Sequence, residues 1–291
     1  MNAPIISSLD RNGNPQKVFT FDRKTCYIAA MTEMKQIRAL AIRAAKKAGQ
    51  ILKKGQQGEL KISYKGDLNL VTNVDQLSEE AIVALINKHF PEHQILAEEG
   101  HDRTEPSPFR WIIDPLDGTT NYAHHFPFFC VSIGVEVKGK VQLGVVFDPI
   151  RNELFFAERD KGAFLNERPI RTSSIAHLRK SLLVTGFAYD VQTDPINNFN
   201  HFINFSMKAQ GVRRTGSAAL DLCYVASGRL DGFWELKLHP WDTAAGSLIL
   251  TEAGGKLSDF SGKPFSIYDS EMLASNGKIH REMIDVLQKI R

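Results

Sequence analysis

Trp111–Tyr122 reads W-I-I-D-P-L-D-G-T-T-N-Y. The three apolar residues form a short buried strand, and Asp114 stands at its carboxyl end, where open α/β sheets present ligands. Pro115 has no backbone N–H and a fixed φ, so it is expected to break the strand and turn the chain, bringing Asp117 back toward Asp114. Gly118 lets another group approach the backbone. Thr119 and Thr120 suit the first turn of a helix, whose free N–H groups attract anions. Two carboxylates this close repel unless a cation lies between them. The loop thus offers oxygen ligands for a hard cation beside N–H groups for a phosphate, and magnesium with a phosphate ester satisfies both. A plain surface turn also begins Asp-Pro, as Phe147-Asp148-Pro149-Ile150-Arg151-Asn152 does. That second segment has no further acid, glycine or threonine, and it reads as a simple hairpin turn.

Two more acidic sites stand outward from this loop. Ala97-Glu98-Glu99-Gly100 puts a carboxylate pair at a strand end, and Trp241-Asp242-Thr243-Ala244-Ala245-Gly246 puts an acid at a helix N-terminus among small residues. Taken singly, each reads as a solvated charge or a helix cap.

The chain around them alternates. A helix starts at Met34, with Ile37, Leu40, Ala41, Ala44, Ala48, Ile51 and Leu52 at helical spacing. A second begins at Asp75 and ends before Pro91. Q-I-L-A and R-W-I-I are short strands that each deliver an acid. After Phe128, F-C-V-S-I-G-V-E-V, V-Q-L-G-V-V-F and E-L-F-F-A, separated by turn residues, predict an antiparallel meander. Alternation then returns: a strand at L-L-V-T, a helix over P-I-N-N-F-N-H-F-I-N-F-S-M-K, one over S-A-A-L-D-L-C-Y-V-A-S and a strand at G-F-W-E. A helix over W-D-T-A-A-G-S-L-I-L-T-E-A, a strand at M-L-A-S and a last helix follow. This is a layered α/β or α+β pattern without an internal repeat. Residues 1–33 lack a sustained apolar period and read as a mobile extension, with Met31 and Met34 as alternative starts. The remainder, 34–291, forms one functional domain with halves near 34–178 and 179–291.

The 291 residues can bury a sizeable core, and 43% hydrophobic with 24% charged residues is ordinary for a globular chain. A net charge of +3 is too small to argue for nucleic-acid binding, so no direct DNA contact is expected. No apolar run is long enough for a membrane span, and the N-terminus lacks the pattern of a secretory signal. Cys26, Cys130 and Cys223 are dispersed and odd in number, as reduced buried thiols of a cytoplasmic protein would be.

The E-E pair, W-I-I-D-P-L-D-G-T-T-N and W-D-T-A-A-G, in this order, resemble the signatures of the inositol monophosphatase family over nearly the whole chain from Met34. R-N-E-L-F and R-R-T-G-S-A-A-L-D-L-C-Y-V-A-S-G-R-L-D-G-F-W-E are most similar to its bacterial SuhB-type members. The resemblance implies a layered αβαβα sugar-phosphatase fold, α+β in class, with mixed and antiparallel sheets between helix layers. It implies a lithium-sensitive, magnesium-dependent phosphatase that uses two or three ions. Glu98, Asp114 and the Leu116 carbonyl would hold the first ion, and Asp114, Asp117 and Asp242 the second. Gly118 and Thr119 would cradle phosphate, Asp75 and Thr119 would orient the attacking water, and Arg213, Gly216, Ser217, Ala218 and Glu235 would hold the polyol. Lys65 sits near a family lysine. Direct hydrolysis by a metal-activated water needs no phosphoenzyme, and His124, His125 and His239 then have packing or rim roles. Hydrolysis of myo-inositol 1-phosphate is the activity implied, in a homodimer. The alternatives are another small ester (a sugar bisphosphate, a nucleotide 3′-phosphate or NADP) and a non-catalytic role in transcription antitermination with RNA polymerase and Nus factors.

Overall fold

The fold is that of a computed structural model, which describes residues 23–58, 62–64 and 70–290. Helix α1 spans Arg23–Gly55 and α2 spans Asn73–His89, with a two-stranded antiparallel ladder between them, β1 (Ile62–Tyr64) and β2 (Leu70–Thr72). Contacts divide the chain into Met1–Leu40, which holds the first part of α1, and Ala41–Arg291. The helix begins at Arg23 rather than at Met34, so the stretch read as an extension is helical from there. Ala29, Ala30, Met31, Glu33 and Met34 are good helix formers, and propensity carries the helix where no apolar period announces it. The expected extension over 1–22 and the loosely placed Lys65 lie outside the described residues.

A seven-stranded sheet follows: β3 (Gln94–Ala97), β4 (Phe109–Asp117), β5 (Cys130–Val137), β6 (Lys140–Asp148), β7 (Glu153–Glu158), β8 (Ala163–Leu165) and β9 (Arg168–Pro169), in that spatial order. Only the β3–β4 pair is parallel; the rest is the expected meander. Helix α3 (Thr119–Ala123) interrupts it after β4. The second sheet is mixed, built from β10 (Leu182–Thr185), β11 (Gly211–Arg213), β12 (Gly232–Leu236), β13 (Lys256–Ser258) and β14 (Glu271–Ser275) in the order β11-β10-β12-β14-β13. Between its strands lie α4 (Phe199–Ser206), α5 (Ala218–Ala226) and α6 (Pro240–Glu252), and α7 (His280–Leu287) comes last.

Within the larger unit these elements stack as alternating layers. Helix α2 and the Ala41–Gly55 part of α1 cover one face of the first sheet, where Gly49 abuts Phe147. Helices α5 and α6 lie between the two sheets, and α4 and α7 close the far side around Phe205, Trp234, Met283 and Leu287. The sandwiched layer is tight: a Cβ on Gly144 of β6 would lie 2.6 Å from the Ala245 carbonyl oxygen of α6. Only glycine allows the helix to sit that close. Among the described residues no helix is long and apolar enough to cross a membrane.

The opening loop departs from expectation in one respect. Pro115 does not end the strand; β4 runs through it to Asp117. The ladder with β5 pairs Asp114 with Ser132 and then Asp117 with Cys130, a register shift that forms a bulge. A bulge leaves the proline without a ladder bond to make, which is how a sheet tolerates it. The Asp148 segment is the simple turn anticipated: its carboxylate accepts from the Ile150 and Arg151 N–H groups at 2.8 and 2.9 Å between β6 and β7.

Candidate active site

Acids from separate elements reach one cleft of about 520 Å³. Glu98 follows β3, Asp114 and Asp117 lie on the bulged end of β4, and Asp242 lies in the first turn of α6. The same cleft is lined by Leu116, Gly118, Thr119, Gly216, Ser217, Ala218 and Glu235. These residues expected together are together.

Each aspartate is aimed by bonds to one oxygen. Asp114 Oδ1 accepts from the Leu116 N–H at 2.9 Å, and Asp242 Oδ2 from the His239 N–H at 2.6 Å. Asp117 Oδ2 accepts from the Ser217 hydroxyl at 2.6 Å, the Ala219 N–H at 2.8 Å and the Cys130 thiol at 3.8 Å. The second oxygens of Asp114 and Asp242 have no hydrogen-bond partner among the described residues. Asp242 is not itself the cap of α6. His239 is the N-cap, Pro240 starts the helix, and Asp242 reaches back from the third position.

The charge of this cluster is unrelieved. Burial and then the neighbouring Glu98, Asp117 and Asp242 carboxylates raise Asp114 well above the usual range. Burial and Asp117 push Asp242 up to about 7. Asp117 is also raised by burial, although its three donors and the Ala218 N–H pull it down. Among the described residues no three acid, imidazole or thiol groups already converge as a closed ligand shell. The fit to a hard divalent cation therefore rests on donor chemistry: carboxylate oxygens, each partly oriented, crowded where only a cation relieves their repulsion.

Asp75 and Thr119 meet as expected. Thr119 Oγ1 lies 3.1 Å from Asp75 Oδ1 and 3.0 Å from the Leu116 carbonyl oxygen. Asp75 sits at the third position of α2, in a capping box with Thr72. Burial is the main cause that pushes it up to about 6, against the hydrogen bonds from Thr72. At Gly118 the backbone has φ 96°, and a Cβ would lie 3.0 Å from the Phe128 carbonyl oxygen. Both the backbone conformation and the close carbonyl require glycine here.

On the polyol side, Glu235 is buried and raised by burial and by Asp221 and Asp242. Ser217, expected to face the polyol, spends its hydroxyl proton on Asp117. Arg213 is exposed, directs Nη1 to the Val212 carbonyl at 3.2 Å, and is not among the cleft residues; the adjacent Arg214 is. His124 and His125 are exposed, and His239 stacks on Trp241 at the cleft with ring centroids 4.8 Å apart.

Several contributors were not foreseen. Glu79 of α2 is fully buried and accepts from the Glu99 N–H at 2.8 Å, the His101 N–H at 3.2 Å and His101 Nδ1 at 2.7 Å, shaping the turn that follows Glu98. Its spacing with Asp75, Ser78, Ile82 and Ile86 on one helix face was the available signal. Asn121 Nδ2 ties the Phe128 and Thr215 carbonyls at 2.7 and 2.8 Å, fastening the segment after Asp117 to the Gly216 turn. Cys130, expected only as a packing thiol, touches Asp117.

The layered fold and the carboxylates gathered at one cleft are shared with a family of phosphatases. The chain belongs to the inositol monophosphatase family, whose family model matches residues 33–291. It is 48% identical over 242 residues to an inositol-1-monophosphatase of Synechocystis, covering 83% of this chain and 81% of that protein. It is 43% identical over 252 residues to a Nus factor SuhB of Pasteurella multocida, covering 86% and 94%. A solved inositol monophosphatase of Anabaena superposes with a TM-score of 0.81 at 43% identity, covering 89% of this chain and 98% of that one.

Proposed function

We propose that the chain hydrolyses myo-inositol 1-phosphate with magnesium, and that residues 34–291, in halves near 34–178 and 179–291, carry the activity. The observation that supports this most is the oriented, mutually repelling set of Glu98, Asp114, Asp117 and Asp242 in one cleft. Glu98, Asp114, Asp117, Asp242 and the Leu116 carbonyl would hold two or three ions. A magnesium ion held there would supply Lewis-acid charge to the phosphoryl oxygens and lower the pKa of a bound water.

The protein's own groups do the rest. Gly118 leaves the backbone open to a phosphoryl oxygen, and the Thr119 amide stands next to it. The Thr119 hydroxyl gives its proton to Asp75, so its lone pairs can receive a proton of the attacking water and fix that water's direction. Glu235 accepts from polyol hydroxyls, with Gly216, Ser217 and Ala218 completing the pocket wall and Arg214 taking the place expected of Arg213. Incubation with magnesium and inositol 1-phosphate should release phosphate, with inhibition by lithium. Asp117→Ala should abolish release, and activity unchanged in that variant would refute the proposal.

The SuhB relatives named as Nus factors favour a second role, in which a homodimer in the cytoplasm binds RNA polymerase or Nus factors. Co-purification of polymerase subunits with the tagged chain tests it, and the Asp117→Ala variant should bind equally well.

A further inference from the structure

The segment joining β10 to α4 forms part of the cleft wall through Phe187, Tyr189 and Asp190. Phe187 is anchored from behind, with ring centroids 5.1 Å from Phe199 and 5.8 Å from Phe202. Tyr189 is not: half of it is exposed, and it lines the cleft together with Thr120, at the start of α3 beside the acids. The segment is fastened by one cation. Lys237 Nζ donates to Asp190 Oδ2 at 2.7 Å and to Asp194 Oδ2 at 2.6 Å. Lys237 follows β12, two residues after Glu235, and holds φ 62°, in the left-handed region that disfavours a side chain. Its N–H donates to the Ser270 carbonyl at 2.7 Å, which fixes it there. The ammonium so held lies between two carboxylates of the one short loop that carries Tyr189.

We propose that Tyr189 is a specificity-determining residue whose ring is the wall against which a cyclic polyol phosphate seats, and that the Lys237–Asp190–Asp194 clasp is the positioning device that holds this wall. This inference rests on the phosphatase reading above. The C–H face of a polyol ring is flat and apolar and matches a fixed aromatic face, whereas an acyclic ester presents no such face.

The full chain with magnesium is assayed on inositol 1-phosphate and on glycerol 2-phosphate. Tyr189→Ala should raise KM for the cyclic ester about tenfold, with kcat and the acyclic ester unchanged. Tyr189→Phe should behave as wild type. Lys237→Met, which leaves the ring intact, should raise KM for the cyclic ester in the same way and speed hydrogen exchange over residues 187–194. Equal effects of Tyr189→Ala on both esters, or none on either, overturn the assignment of Tyr189. A Lys237→Met protein with unchanged KM and exchange overturns the clasp. Wild-type protein that releases phosphate from neither ester overturns the phosphatase reading, and this inference with it.

Discussion

Ser217 donates its hydroxyl to Asp117 Oδ2 at 2.6 Å across a hundred positions of sequence. The same oxygen accepts the Ala219 N–H, so the start of α5 grips the acid at two points. Ser217→Ala should weaken magnesium dependence about tenfold, as loss of an outer partner of a metal ligand does. Ser217 is also the N-cap of α5, accepting from the Leu220 N–H, and losing that cap should cost about 1 kcal/mol of stability. Ser217→Thr should keep both. Magnesium titration of activity and urea unfolding of the three proteins check this, and a Ser217→Ala variant with the magnesium midpoint of wild type would count against the grip.

Asp114 is the most crowded acid, pressed by Glu98, Asp117 and Asp242. Asp114→Asn keeps an oxygen for the Leu116 N–H and removes one repelling charge. The metal-free variant should melt a few degrees above metal-free wild type while losing activity. Magnesium at about a hundred times its dissociation constant should stabilise wild type by about 2.7 kcal/mol and the variant hardly at all. Differential scanning calorimetry with and without magnesium decides it.

The raised acids also fix the sign of a pH effect. Asp75 at about 6 and Asp242 at about 7 bind protons in the folded state that the unfolded chain, with both at 3.8, has already released. Their contribution is full below 3.8 and is lost as pH rises through 6 and 7, so it makes the metal-free protein less stable at neutral pH than in acid. His280, pinned between Ser258 and Ser275 and lowered to about 4 by burial, acts oppositely. Its contribution is full above 6.5 and is lost as pH falls toward 4. Urea unfolding without metal at several pH values should show both. Asp242→Asn should remove part of the loss that accompanies rising pH up to neutrality, and His280→Gln part of the loss that accompanies falling pH, each on the order of 1–3 kcal/mol.

Glu79 carries no reacting group yet holds the turn after Glu98. Glu79→Ala should leave the Glu99 and His101 N–H groups without their partner, at about 2 kcal/mol. Activity should fall because Glu98 loses its support. Glu79→Gln, which can still accept, should lose less of both. Chemical unfolding and kcat/KM measured side by side check the two effects.

Much of the site was legible because its acids sit at recognisable punctuation: a strand end, an Asp-Pro loop, a helix start. What stayed hidden depended on facing. The helix starts at Asp75 and Asp242 were visible, but each acid turned out to occupy the third position, and the true caps were Thr72 and His239. Pro115 read as a strand break because a sequence does not show that the partner strand will skip a residue there. Arg213 and Arg214 are neighbours at the end of an extended segment, where adjacent side chains point oppositely. Only the register of β11 on β10 decides which of them meets the cleft. Glu79 and Glu80 are the same residue type side by side on α2, and only packing places the first inside and leaves the second exposed. The layered fold followed from the order of periodic segments, while the earlier start of α1 followed from propensity alone.

The sandwiched helix α6 brings Asp242 to acids that left the ribosome long before it. A nascent chain that ends before Pro240 already carries Glu98, Asp114 and Asp117 but cannot finish the ligand set. If the cluster holds magnesium as proposed, its capture should therefore mark the completion of synthesis, and chains that stop before Pro240 should bind the ion no better than an Asp242→Ala variant.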